Sequence, residues 1–198
     1  MSIYADFTDI TGQLFDRLDK KRFLHTLGVA STAACIAMSL GYDIRKAYLA
    51  GLLHDCAKYM VDSEYVAYCE KHDIDVEDVE AKNPALLHAK VGAYQAHKKY
   101  GIVDGDVLSA IRWHTTGRPA MTELESIVFL ADYIEPGRSC DPDLPVIRKE
   151  AFEDINKAIC HVYHNTMNHL TQSDKTLDPM TEKAYLYYMD KTGGKGAD

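Results

Sequence analysis

Apolar residues in this chain recur at the spacing of one helix face, and no alternating, β-branched run is long enough to demand a strand. The segment FLHTLGVASTAACIAMSL, Phe23 to Leu40, reads as a helix with Gly41 placed as its C-cap. Asp43 offers an N-cap for Ile44 to Met60, whose Ala47, Leu49, Ala50, Leu52 and Leu53 predict a largely buried helix. Ser63 is positioned to cap a helix running through Cys69. Asn83-Pro84 opens another from Ala85 to Tyr100, stopping at Gly101. Asp104 to Trp113 follows, then the turn-like Thr115-Thr116-Gly117-Arg118-Pro119. Thr122-x-x-Glu125 is a capping box in front of Ser126 to Ile134. Beyond the breaks at Pro136-Gly137 and Asp141-Pro142-Asp143-Leu144-Pro145, the pattern predicts one long helix over Val146 to Leu170 and a short one over Thr181 to Met189. The tail GGKGAD is expected to be mobile. The fold class is all-α, and 198 residues suit a single domain, 1–198.

Composition narrows the function classes. Hydrophobic residues make up 46% and charged ones 26%, a globular balance that excludes disorder and fibrous repeats. A chain of this size buries roughly 70% of its unfolded surface, enough for a core without staples. The net charge of −8 repels phosphate backbones, so a general nucleic-acid binder is disfavoured and an anionic ligand needs a local cationic site. Five cysteines, Cys35, Cys56, Cys69, Cys140 and Cys160, form no C-x-x-C pair, which fits a reducing compartment rather than a disulfide framework or thiolate zinc site. Asp6, Asp9, Asp16 and Asp19 stand where a signal peptide needs an apolar stretch, and no apolar run is expected to reach the ~18 residues of a membrane span. These features predict a cytoplasmic protein.

Nine histidines mean little individually; their companions decide. His54 and Asp55 are adjacent in an apolar segment, where burying a charge is costly unless it is paired or metal-bound. Lys58 lies at i+4 from His54 and i+3 from Asp55, one turn along on the same side. His25 follows Phe23-Leu24, His88 follows Leu86-Leu87, His114 follows Trp113, and Asp132 sits within Ile127-Val128-Phe129-Leu130-Ala131-Asp132-Tyr133-Ile134. A separate core-histidine explanation would have to be repeated on several helices. One metal site at the centre of a helical bundle, fed by inward ligands from facing helices, explains all of them.

The order His25, His54-Asp55, His88, His114, Asp132 resembles the HD-domain phosphohydrolases. The segments His54-Asp55-Cys56-Ala57-Lys58, Leu87-His88-Ala89, Ile111-Arg112-Trp113-His114-Thr115-Thr116-Gly117 and Ala131-Asp132-Tyr133-Ile134-Glu135-Pro136-Gly137-Arg138 look like those of the bacterial YqeK branch. The resemblance spans about 20–184. It implies an HD-domain helical bundle with a central metal site and a symmetrical diadenosine tetraphosphate hydrolase yielding two ADP. The implied cofactor is iron, one or two ions, with manganese or another divalent metal possible. By position, His25, His54, Asp55 and Asp132 match the principal metal ligands. His88 and His114 match residues that complete a second metal position or contact nucleotide phosphates. Asp55, Lys58 and His88 are the implied catalytic set. Thr115, Arg118 and Arg138, with Asp178 and Thr181 of the C-terminal loop, are the further implied nucleotide contacts. That loop departs from the family: Asp178-Pro179-Met180-Thr181 is followed by Ala184-Tyr185-Leu186, without the usual Arg and Asn on the base side. The implied partner is a small dinucleoside polyphosphate, with neither nucleic acid nor membrane, and a homodimer is compatible with it. Two alternatives stay open: another HD-type activity on nucleoside monophosphates, deoxynucleoside triphosphates or guanosine tetraphosphate, and a non-catalytic nucleotide sensor.

The residues themselves agree with hydrolysis. Imidazoles and carboxylates without thiolate suit iron, manganese or zinc better than magnesium or calcium. Lys58 is placed to offset charge developing on phosphoryl oxygens. Three of the seven arginines, Arg112, Arg118 and Arg138, bracket His114 and Asp132, and arginine suits phosphate through its planar fork. By contrast, His161, His164 and His169 on one helix read as surface residues, as do His72 and His97 among their charged neighbours. The stretch from Asp62 to Glu80, with eight carboxylates against one lysine, reads as a solvated face.

Overall fold

Asp19, Asp43, Asp104 and Thr122 each place a side-chain oxygen on the free backbone N–H groups of a helix start, and four helices begin where those caps sit. A computed structural model describes residues 7–139, 141–172 and 178–194. Asp6, Cys140 and the last four residues of the tail, on which the sequence reading drew, lie outside the described residues. Among the described residues there are eleven α-helices and no strand, as the spacing predicts: α1 Phe7–Arg17, α2 Lys20–Leu40, α3 Ile44–Leu53, α4 Asp62–Lys71, α5 Asp78–Lys82, α6 Leu87–Tyr100, α7 Gly105–Trp113, α8 Glu123–Ile134, α9 Leu144–Glu153, α10 Ile155–Gln172 and α11 Pro179–Lys191. Gly41 and Gly101 close α2 and α6 in the left-handed conformation, at φ 70° and 68°.

The centre is α2 packed between α3 and α8, with α7 completing the group. Val29, Ala33, Ile36, Leu52, Leu53, Ile111, Ile127 and Leu130 are fully buried there, and truncating one such leucine to alanine costs ~2–5 kcal/mol. Helices α2 and α3 cross so closely that a Cβ on Gly51 would lie 2.9 Å from the Ala30 Cα, so only glycine fits. A smaller cluster of Ala57, Tyr65, Cys69, Leu87 and Val91 sits under α4 and α6.

Several boundaries differ from the sequence expectation. The helix expected over Ile44 to Met60 stops at Leu53, and residues 54–59 continue as turns closed by Cys56 N–H to Leu53 O and Lys58 N–H to Asp55 O. Helix α4 is started by Glu64 reaching back to the Val61 N–H rather than by Ser63. The long helix expected over Val146 to Leu170 is two helices. Asp154 is extended at φ −151°, and its carboxylate accepts from the N–H groups of Asn156 and Lys157, ending α9 and capping α10. Helices α1 and α5 are not among those the spacing predicts. The acidic 62–80 stretch is not wholly a solvated face: Glu80 is buried and its carboxylate takes Lys90 at 2.6 Å. Finally, α2 is long and apolar enough to cross a membrane by length and composition, contrary to expectation. Its Val29, Ala30, Ala33, Ile36 and Ala37 are spent on the core.

Candidate metal centre

Six ligand-capable side chains from five segments meet at one point. His25 comes from α2, His54 and Asp55 from the turn after α3, His88 from the first turn of α6, His114 from the residue after α7, and Asp132 from α8. The early end of α3 matters here, because His54 and Asp55 sit in a turn rather than ~100° apart on a helix. Three overlapping groups, His25–His54–Asp55, His54–His114–Asp132 and Asp55–His88–His114, each bring one ligand atom per residue within 4.8 Å of the others.

Local hydrogen bonding fixes which ring nitrogen faces the centre. His54 donates Nδ1–H to Gly51 O at 2.7 Å, His88 to Ala85 O at 2.5 Å, and His114 to Ile111 O at 2.7 Å. A carbonyl only accepts, so each of these rings carries a proton on Nδ1 and turns Nε2 inward. Burial pushes His54 down to about 4 and His88 down to about 3, which keeps both rings neutral. His25 faces Glu135 Oε1 with Nδ1 at 3.1 Å and Asp132 Oδ1 with Nε2 at 3.0 Å. Burial depresses its pKa, but the bond to Asp132 and that carboxylate's charge outweigh it, and the net shift is upward.

The result would be repulsive without a cation. The Nε2 atoms of His88 and His114 are 3.1 Å apart, and each lies 3.4 Å from Asp55 Oδ1. His54 Nε2 lies 3.6 Å from Asp55 Oδ2 and 3.9 Å from Asp132 Oδ1. His54 Nε2 and Asp55 Oδ1 are buried with no hydrogen-bond partner, at a cost of ~1–3 kcal/mol each. Asp55 remains ionised: burial raises its pKa, but the His54, His114 and His88 imidazoles and the Lys58 ammonium hold it well below the ordinary range. Asp132 is likewise held low, with His25 the largest influence opposing burial. Inward lone pairs, ionised carboxylates and orphaned buried donor atoms fit a divalent cation. Cys56 takes no part, since its thiol points to Gly92 O at 3.4 Å.

A cleft of about 730 Å³ opens onto this centre, lined by His25 and Asp55 and rimmed by Lys21, Arg22, Lys58 and Arg138. Lys58 Nζ stands 3.6 Å from Asp55 Oδ1, and Arg138 donates to Asp132 Oδ1 at 2.6 Å. Thr115 Oγ1 lies 3.0 Å from His88 Nε2 and 3.1 Å from His114 Nε2. Other expected contacts lie elsewhere. Arg118 gives both arms of its guanidinium to buried Glu125 at 3.0 Å. Asp178 caps α11 through Met180 N–H and lines a small crevice with Thr115, Trp113 and Arg112, while Thr181 is buried. Sequence reasoning missed Glu135, Arg22 and Arg148. Arg22 had a signal, since Arg22-x-x-His25 puts both on one face of α2. His161 is corrected from surface to buried, with Nδ1 at 2.9 Å from Glu150 Oε2.

Residues 22–137 match the sequence model of the HD domain. The chain belongs to the HD domain family. It is 38% identical over 169 residues to the symmetrical bis(5′-nucleosyl)-tetraphosphatase of Bacillus subtilis, covering 85% of this chain and 90% of that one. The protein of the same name from Halalkalibacterium halodurans is 41% identical over 168 residues, covering 85% and 89%. A crystal structure from Clostridium acetobutylicum, described as a predicted HD superfamily hydrolase involved in NAD metabolism, superposes with a TM-score of 0.91 at 39% identity. It covers 95% of this chain and 99% of that one. The HD family places the His/Asp cluster as a divalent metal site, in agreement with the donor geometry.

Proposed function

We propose that this chain is a symmetrical bis(5′-nucleosyl)-tetraphosphatase, hydrolysing diadenosine tetraphosphate to two ADP. The observation that carries the reading is the convergence of four histidines and two carboxylates in a chain 38% and 41% identical, over most of its length, to two enzymes of that name. His25, His54, Asp55 and Asp132 would hold iron, with His88 and His114 completing a second position; this imidazole–carboxylate set also suits manganese. Bound there, a divalent ion supplies Lewis acidity toward a phosphoryl oxygen and lowers the pKa of water toward ~7.

In the reaction, the oxygen of water bonds to one of the two central phosphorus atoms. The bond from that phosphorus to the oxygen bridging the centre of the chain breaks, and the leaving half departs as ADP. The residues of this chain arrange that event. Asp55, ionised and buried, faces the cleft beside Lys58. Lys58, partly exposed on the cleft wall, offsets the charge that grows on the departing phosphate. Arg138, whose Nε and Nη2 donate to Asp132, brings its positive charge to the cleft rim, and His88 Nε2, with Thr115 Oγ1 beside it, supplies polar groups next to Asp55. The rim of Lys21, Arg22, Lys58 and Arg138 gathers positive charge within a chain of net charge −8, which favours a small polyphosphate in the cytoplasm over a nucleic-acid strand.

The test is a product profile after loading with iron(II) or manganese and addition of diadenosine tetraphosphate. ADP as the sole nucleotide product is expected. ATP plus AMP, no hydrolysis, or equal turnover by an Asp55→Ala variant overturns the assignment.

A further inference from the structure

Three of the four histidines at the centre are oriented by the carbonyl three residues earlier in their own segment. His25 is the exception. Its Nδ1 meets Glu135, 110 residues away in sequence, just past the end of α8. A carboxylate behind an imidazole fixes the ring and makes its other nitrogen a stronger donor than a carbonyl would.

Glu135 is itself fastened on several sides. Its Oε2 accepts the Gly137 N–H at 2.6 Å, and its side chain is 5% exposed. On the α2 side stands Gly28, one turn along from His25. A Cβ there would fall 2.5 Å from Glu135 Oε2, so the missing side chain is the space the carboxylate occupies. The backbone of the segment is held from α9. The Arg148 guanidinium donates to Ile134 O at 2.9 Å, Glu135 O at 3.0 Å and Arg138 O at 3.1 Å. One arginine thus closes the C-terminus of α8 and the loop that carries both Glu135 and Arg138.

We infer that Glu135 is a positioning residue that sets the metal affinity of His25 through its Nδ1, seated by Gly28 and by the Arg148-held loop. The inference rests on the metal-centre reading above. It also explains a local inconsistency: glycine inside α2 sacrifices about 1 kcal/mol of helix propensity relative to alanine, yet the structure keeps it where a methyl group would displace the carboxylate.

The experiment measures the dissociation constant for Mn²⁺ by calorimetry on the chelator-stripped full chain, with thermal melts alongside. Glu135→Ala and Gly28→Ala are each expected to weaken Mn²⁺ binding by about 10–100-fold, the range for outer-shell partners of ligating histidines. Glu135→Gln, which keeps one acceptor, should fall between. Gly28→Ala should melt no lower than wild type, which separates positioning from folding. In the Glu135→Ala background, Gly28→Ala should add nothing, because the clash has gone. Wild-type Mn²⁺ affinity in Glu135→Ala or Gly28→Ala, or losses that multiply in the double variant, overturns the inference alone. Absence of Mn²⁺ binding by the wild-type chain overturns the metal reading, and this inference with it.

Discussion

Two clusters of histidine and carboxylate lie in this fold, and they begin from the same arrangement. At His54 of the metal centre and at His161, Nδ1 faces a fixed partner and Nε2 is left buried with no hydrogen bond. Beyond that they diverge. At the centre, three sets of donor atoms fall within 4.8 Å; Arg138 pairs with Asp132 Oδ1 at 2.6 Å, but the nearest ammonium to Asp55 Oδ1 among the described residues is Lys58 at 3.6 Å. At His161 the only carboxylate facing Nε2 among the described residues is Asp143 at 3.7 Å, and Asp143 is already bonded to Asn165, while Glu150 holds Lys157 at 3.0 Å. An orphaned ring nitrogen therefore does not by itself make a metal site. Convergence of several donors from different segments on one point is what sets the metal centre apart.

The contrast can be broken from the strong side first. Asp55→Ala removes the carboxylate that His54, His88 and His114 all face, and turnover should drop on the order of 10³-fold, about 4 kcal/mol, with metal content falling in elemental analysis. Retained metal and turnover would erase the distinction. Lys58→Met should lower kcat roughly 100-fold while leaving metal content intact if, as proposed, it acts on the substrate rather than on the ligands; a parallel loss of metal would reassign it to the centre.

Acidification tests the neutral rings. His54 and His88 titrate in the folded chain at about 4 and about 3, against ~6.5 when unfolded. Between those values the unfolded chain binds more protons, so stability falls as pH falls, by up to ~1.4 kcal/mol per unit for each ring. His25, shifted upward, opposes them: its contribution is present below ~6.5 and is lost as pH rises through its folded value. Two rings against one predict that the metal-free protein melts lower at pH 5 than at pH 7. An unchanged melting temperature would mean the rings are not buried and neutral as described. Smallest of all, His161→Ala should cost ~1–3 kcal/mol in denaturant titration and leave metal content and turnover at wild-type levels. A change in metal stoichiometry there would make the two clusters alike.

The amino-acid sequence made the centre legible because each ligand interrupts an apolar helical run, and such interruptions are visible one segment at a time. Glu135 lies within a legible motif, yet its role is not, since its partner is 110 residues away and nothing local marks the pairing. The His161 misreading has a geometric cause. His161 and Glu150 are 11 residues apart, which in one continuous helix puts them ~16 Å apart along the axis. Only the break at Asp154 folds α10 back onto α9 and brings them to 2.9 Å. The apolar pattern runs through Ala151, Ile155 and Ile159 without a gap, so periodicity alone cannot see the corner. Where α3 ends was hidden in the same way, because Ala57 is as good a helix former as the residues before it.

The central ligands come from segments that span most of the chain, from α2 to α8, with Glu135 anchoring the first to the last. An ion held there would be a clasp closing several long loops at once. Each closure removes freedom from the unfolded chain, by an amount that grows only as the logarithm of loop length. Because the ion binds the assembled chain and not the open one, its concentration becomes a term in the folding equilibrium. Metal supply would then govern how long this protein survives in its folded form as well as how fast it turns over.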